Sequence, residues 1–322
     1  MNTFTSKLIK AAGTVALAAV SLTSQARDYQ IVGGNIPLVP TANTVSFYEG
    51  YTWQGTTRSV LFIRPSKESS SKAAAIVMLH YDSGTPELQA NLAKAGNLAA
   101  SMGYWVILPP AINGHWNDDP SDTSNTTDDV GFLKNLITGA EKEYPIDPTR
   151  VSMAGLSNGG FMTIRMACEQ PQLLASGMAV AAEMGKAQVS DCRPSRPVPF
   201  VFVNGTADNV VPYNGSIGIS GRRDVSAPVS FSNFMGYNAC NSNKTSTQQL
   251  PVLVKDGTTV SLQHNAACTS LGEADLYTVT NGGHAWPGGQ PNFQPFGPAS
   301  GNLDTTTTLG NFAKLWTTKS TL

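Results

Sequence analysis

Residues 150–160 read Arg-Val-Ser-Met-Ala-Gly-Leu-Ser-Asn-Gly-Gly. Arg150–Ala154 reads as a strand, Gly155–Gly159 is G-x-S-x-G, and Phe161–Cys168 continues as a helix. A strand that enters a helix through this motif makes a very tight turn. The serine backbone is strained there, and small residues two before and two after it let strand and helix approach. The hydroxyl is left exposed above the carboxyl end of the sheet, at a helix N-terminus. Ser157 is therefore the candidate nucleophile. An ordinary glycine-rich helix start with a capping serine would share the composition, but the strand–turn–helix context favours the nucleophile.

The flanking chain alternates strands and helices. Ser59–Ile63, Ala75–Leu79, Tyr104–Leu108, Met178–Ala182, Pro199–Val203 and Leu276–Val279 are short apolar runs that read as strands. Pro86–Met102, Asp129–Lys142 and Thr308–Thr317 have helical spacing. Continuous apolar strands separated by helices predict an α/β fold with a mainly parallel sheet. The polar stretches 113–127 and 238–249 fit surface or active-site insertions better than domain linkers. We expect one domain over residues 27–322.

A serine hydroxyl needs a base to become a nucleophile. Of the four histidines, only His264 and His284 follow Ser157, and a G-x-S-x-G fold of this kind orders its triad Ser, acid, His. His284 lies in the glycine-rich Asn281–Gly289, just after a strand; His264 reads as a surface residue. The acid belongs beyond a strand end, where Asp208 follows Phe200–Val203. It would orient the imidazole. Asp224 and Asp256 follow no comparable strand. An oxyanion hole needs two backbone N–H groups. Asn158 offers one, and Tyr81 or Asp82, after the early strand, the other; His80 is expected to support that loop. Trp116 and Trp286, with Tyr81, are expected to line the substrate site.

Several segments resemble the secreted esterase family of polyhydroxybutyrate depolymerases and feruloyl esterases. They are Ile76–Gly84, Pro109–Asp118, Asp128–Leu133, Ile146–Val151, Gly155–Thr163, Asn204–Tyr213 and Asn281–Gly289, the last with Trp-Pro-Gly after its histidine. The resemblance implies an α/β-hydrolase fold and a Ser157–Asp208–His284 triad. It also implies action on hydroxyalkanoate polyesters, feruloylated or acetylated plant polysaccharide, or related esters. The chain departs from the family at Tyr81, where the family has glycine, which would place a side chain beside the oxyanion hole. Neither a metal nor an organic cofactor is expected. Acetylxylan esterase or serine peptidase chemistry could use the same triad; a non-catalytic polymer-binding protein on the same fold is the third reading.

Residues 1–26 carry two lysines, a short apolar run and small residues at Ser24 and Ala26, the pattern of a secretory signal peptide. A secreted or periplasmic protein is expected. In an oxidising compartment, Cys168, Cys192, Cys240 and Cys268 suggest two disulfides. Three connectivities are open, and sequence-local pairing, Cys168–Cys192 and Cys240–Cys268, is the expectation. The 322 residues carry a formal charge of −1 and only 13% charged residues, against roughly 25% in an average soluble domain. With no basic block, nucleic acid is not expected as a partner. No internal stretch approaches the ~20 apolar residues that span a bilayer, so no integral membrane association is expected. The expected partner is an ester substrate, polymeric or oligomeric; the composition sets no oligomeric state.

Overall fold

In the strand β3, Ala73–Leu79, alternate side chains enter two different cores: Ala75, Val77 and Leu79 on one face, Ile76 and Met78 on the other. The same division holds for β4, Trp105–Leu108, and β7, Phe200–Gly205. Continuous apolar runs are what a sheet covered on both faces requires. A computed structural model describes residues 36–67, 69–217, 223–269, 271–294 and 296–319, all within one compact unit. The expected signal peptide lies outside the described residues.

The remaining strands are β1 Thr44–Trp53, β2 Thr56–Pro65, β5 Ile146–Leu156, β6 Gly177–Val180, the short pair β8 Ser216–Ile217 and β9 Arg223–Asp224, then β10 Ser246–Gln249, β11 Thr259–Asn265 and β12 Ala274–Thr280. Ten of them form one sheet in the order β1-β2-β4-β3-β5-β6-β7-β12-β11-β10. The stretch from β4 to β12 is parallel, and each end is finished by antiparallel strands. Helices α1 Pro86–Leu92, α2 Gly96–Met102 and α7 Thr305–Lys314 cover one face; α3 Asp129–Glu143, α4 Asn158–Glu169 and α6 Ala227–Tyr237 cover the other. A short α5, Lys186–Asp191, follows β6.

The chain leaves β3 towards β4 and then crosses back to place β5 on the other side of β3. The crevice above the carboxyl ends of β3 and β5 is thus the topological switch point, where open α/β sheets bind ligands. The loop at Tyr81 and the turn at Ser157 meet there.

The segment expected as one helix over 86–102 is two. Thr85 caps α1, accepting from Leu88 N at 3.2 Å, but Lys94 adopts φ +50° and ends it. Lys94 Nζ donates to Gly288 O at 2.8 Å, and Gln290 N takes the Leu92 carbonyl at 2.9 Å. Tertiary partners, rather than local propensity, break the helix. The stretch 238–249, expected as a loop, ends in the edge strand β10. Its four residues are all exposed and polar, as suits a sheet edge that must not recruit another strand. The disulfides are Cys168–Cys192 and Cys240–Cys268, the sequence-local pairing.

Candidate active site

Ser157 sits at φ +54°, ψ −123°, outside the regions that side chains ordinarily occupy. Its N–H donates to Val180 O at 2.8 Å and its carbonyl accepts from Phe161 N at 2.9 Å, so the strained turn is held from both sides. The flanking glycines are sterically obligatory. A Cβ on Gly155 would stand 2.2 Å from the Gly159 carbonyl, and one on Gly159 would stand 2.5 Å from Leu79 O.

Asp208 follows β7 and His284 follows β12, and these strands are neighbours. Their loops are joined by Ala207 N donating to Gly282 O at 2.9 Å. Asp208 Oδ1 accepts from Val210 N and Val211 N, each at 2.8 Å, and Oδ2 lies 2.8 Å from His284 Nδ1. With the carboxylate as acceptor, the imidazole proton resides on Nδ1 and Nε2 is left as the free base. Asp208 is 5% and His284 3% exposed. The alternative acid Asp256 instead accepts from Gly301 N and Thr258.

Ser157 and His284 line one cleft of about 510 Å³, with Tyr81, Asp82, Ser83, Asn158 and Phe161. Three further groups on its wall were not foreseen from the sequence. They are the acidic loop residues Asp118, Asp119 and Asp122 with His115, the pair Val210–Val211, and Phe296. Phe296 is 63% exposed, with its ring centroid 6.3 Å from that of His284. Its stretch, Pro-Asn-Phe-Gln-Pro-Phe-Gly-Pro over 291–298, carries no periodic signal that could have marked Phe296.

Behind the cleft is a buried scaffold. Ala111 N donates to His80 Nε2 at 2.9 Å, which places the His80 proton on Nδ1, 2.8 Å from Tyr81 O. Burial lowers the His80 pKa to about 4, so it stays a neutral strut. Trp116 donates through Nε1 to His80 O at 3.1 Å, and its backbone N donates to Asn158 Oδ1 at 2.7 Å. Asn158 Nδ2 in turn donates to Trp116 O and to Asp118 Oδ1.

The two tryptophans expected to contact substrate do not reach the cleft. Trp116 and Trp286 are both fully buried. Trp286 Nε1 donates to Thr306 Oγ1 at 3.0 Å, and its backbone exchanges hydrogen bonds with the Gln294 side chain. It therefore anchors the histidine loop to α7. An aromatic ring in a loop gains more from burial with its N–H satisfied than from lining a groove. Tyr81 does line the cleft, and its buried hydroxyl has no hydrogen-bond partner among the described residues.

No family model matches the chain. Over 239 residues, 71% of this chain, it is 28% identical to feruloyl esterase B of Piromyces equi, and the match covers 42% of that protein. Over 251 residues it is 26% identical to the putative esterase NocK of Nocardia uniformis subsp. tsuyamanensis, covering 73% of this chain and 72% of that protein. Both relatives are named as esterases, and the chain has the mainly parallel, helix-flanked sheet of the α/β-hydrolase fold. Its fold is shared with an acetyl xylan esterase from Aspergillus awamori, at TM-score 0.56 and 16% identity over 83% of this chain and 99% of that one. The matched stretch spans less than half the length of the feruloyl esterase. Among the described residues, no helix is long and apolar enough to cross a membrane.

One buried acid stands apart from the cleft wall. Glu183, just beyond β6, is fully buried, and neither carboxyl oxygen meets a hydrogen-bond partner among the described residues. The Ala227 N–H that faces it is committed to Tyr213 O at 3.0 Å. Burial, then the charges of Asp224 and Asp208, push its pKa from 4.5 up to about 10. The folded protein therefore keeps a proton that the unfolded chain releases. Stability from this group is complete below about pH 4.5 and is lost progressively as pH rises towards 10, a difference of about 3 kcal/mol by pH 7. Glu183→Gln, neutral and of similar shape, should raise the melting temperature more at pH 8 than at pH 5. Thermal melts at both pH values check this; a variant destabilised more at pH 8 would mean an ionised, partnered Glu183.

Proposed function

We propose that the chain is an exported serine esterase with a single catalytic domain, residues 27–322. It removes feruloyl or acetyl groups from a hydroxyl-rich, uncharged plant polysaccharide. The observation that carries this reading is the buried His284 Nδ1–Asp208 Oδ2 pair at 2.8 Å, which opens on the same cleft as the strained Ser157. His284 Nε2 takes the Ser157 proton as the hydroxyl attacks the ester carbonyl. It then protonates the leaving alcohol, and water cleaves the acyl-enzyme by the reverse steps.

The oxyanion rests on two backbone N–H groups. Asn158 opens α4, where the first N–H groups have no partner within the helix and the dipole favours negative charge. The second donor is Asp82. The Tyr81 carbonyl is held by His80 Nδ1 at 2.8 Å and Gly84 N at 2.9 Å. In a trans peptide the Asp82 N–H points the opposite way from that carbonyl, so fixing one aims the other. Both donors are set before substrate arrives, the arrangement that makes an oxyanion hole effective.

The cleft wall supports the choice of substrate. Phe161, Val210, Val211 and Phe296 supply an apolar surface for an acyl group. Asp82, Asp118, Asp119 and Asp122 supply acceptors suited to sugar hydroxyls, and together repel carboxylate-bearing chain ends. The relatives named above as feruloyl and acetyl xylan esterases support the same reading. The test is a hydrolysis panel on purified protein, with Ser157→Ala as blank: methyl ferulate, acetylated xylan, amorphous polyhydroxybutyrate and a peptide ester–amide pair. Ferulate or acetate release is expected. Release of hydroxybutyrate alone would make it a polyester depolymerase, and amide cleavage at a comparable rate would make it a peptidase.

A further inference from the structure

A second polar cluster lies at the other end of the sheet. His264 on β11 and Asp275 on β12 are cross-strand partners, and Glu273 immediately precedes β12. Ala274 lies opposite Phe200, the first residue of the parallel strand β7, so the cluster sits at the amino ends of these strands. Ser157, Asp208 and His284 all follow carboxyl ends. The sheet thus separates the cluster from the cleft.

His264 Nδ1 is 2.7 Å from Asp275 Oδ1 and 3.3 Å from Glu273 Oε1. Glu273 is 7% and Asp275 5% exposed. One imidazole nitrogen faces both carboxylates and carries at most one proton, which its hydrogen bond commits to Asp275. The Glu273 carboxylate accepts no hydrogen bond and pairs with no lysine or arginine among the described residues. When both are ionised, two buried carboxylates sharing a single N–H leave negative charge uncompensated, which is costly away from water.

A cation would compensate that charge. One ligand atom from each of the three residues lies within 4.8 Å of the others. Ligand atoms about 2.0–2.2 Å from a zinc ion stand roughly 3.3–3.6 Å apart in a tetrahedron, a change within reach of small side-chain rotations. An imidazole nitrogen beside carboxylates suits zinc; calcium and magnesium take oxygen shells. The His264 side chain is 40% exposed, which provides a path in and room for a water.

We propose that His264, Glu273 and Asp275 form a zinc-binding site, completed by water, that clamps β11 to β12. Zinc takes the Nδ1 lone pair of the neutral imidazole, whose single proton moves to Nε2. Hydrolysis at Ser157 does not depend on it, so the proposal stands apart from the substrate assignment. The experiment uses tag-free, disulfide-intact protein stripped with EDTA and dialysed. Zinc, calcium and magnesium chlorides are titrated separately by calorimetry, with thermal melts in parallel. The expected result is one zinc per chain and a raised melting temperature. His264→Gln and Glu273→Gln should each weaken zinc binding by at least about tenfold and abolish the thermal shift. Ester turnover in the same variants reports that they are folded. No binding at millimolar zinc, unchanged affinity in both folded variants, or calcium binding as tight as zinc would each overturn the proposal.

Discussion

Ser157→Ala should lower ester turnover by about 10⁶-fold while leaving the melting temperature nearly unchanged, and Ser157→Gly should lose the same activity and melt higher. The first effect follows from the role proposed for the hydroxyl: without it no acyl-enzyme forms, and only the oxyanion donors and substrate binding remain. The second follows from the backbone. At φ +54°, ψ −123° any side chain is strained by about 1–3 kcal/mol, and only glycine relaxes. Alanine retains the strain, so it tests chemistry alone; glycine tests chemistry and strain together. Turnover on an activated ester and thermal melts of the three proteins are the measurements. Substantial turnover in the alanine variant would reject the nucleophile. A glycine variant less stable than wild type would mean that the elbow is not strained as its dihedrals indicate.

Gly155→Ala is expected to damage the molecule most for its size. The added methyl would lie 2.2 Å from the Gly159 C and O and 2.7 Å from Gly160 N. All three are backbone atoms, which cannot rotate away. Relief requires β5 and α4 to separate, an overpacking cost of typically about 1–3 kcal/mol or more. The separation also shifts Ser157 relative to His284, and a displacement near 1 Å costs roughly 100-fold in rate. Lower melting temperature and lower kcat should therefore appear together. Gly236→Ala, in the last turn of α6, is the control: its Cβ would meet nothing within 4 Å, and alanine there should be neutral or stabilise by up to about 0.5 kcal/mol. Equal effects at the two glycines would contradict the close approach at the elbow.

What the sequence disclosed, it disclosed where one physical demand governs the residue types. Strands β3, β4 and β7 are buried on both faces, so apart from Asn204 near the end of β7 their positions are apolar and the runs stand out. The elbow admits only small residues at Gly155 and Gly159, and the histidine and acid follow strand ends. The parts that stayed hidden depend on tertiary partners. Strand β10 has no buried residue to mark it, and β1 has only Tyr51 fully buried, the rest being partly or wholly exposed. The break between α1 and α2 is made by residues 288–290, nearly two hundred positions away. Trp116 and Trp286 show why aromatic residues in loops are hard to place: the same letter serves a cleft wall or a buried anchor. Phe296 was hidden for the converse reason.

The loop that forms the acidic wall of the cleft is held in two different ways along its length. Its root, Trp116 to Asp118, is bolted to α4 through the Asn158 side chain. Beyond it, Asp119 and Asp122 fold the chain locally, accepting from Ser121 N at 2.9 Å and Ser124 N at 2.8 Å. The tip makes its own turns and borrows nothing from the oxyanion scaffold. Residues 119–125 are therefore an exchangeable cassette. Their length and composition can drift, or be replaced by design, without disturbing the elbow or the Asp208–His284 pair, so the rim of the cleft can change while its floor stays fixed.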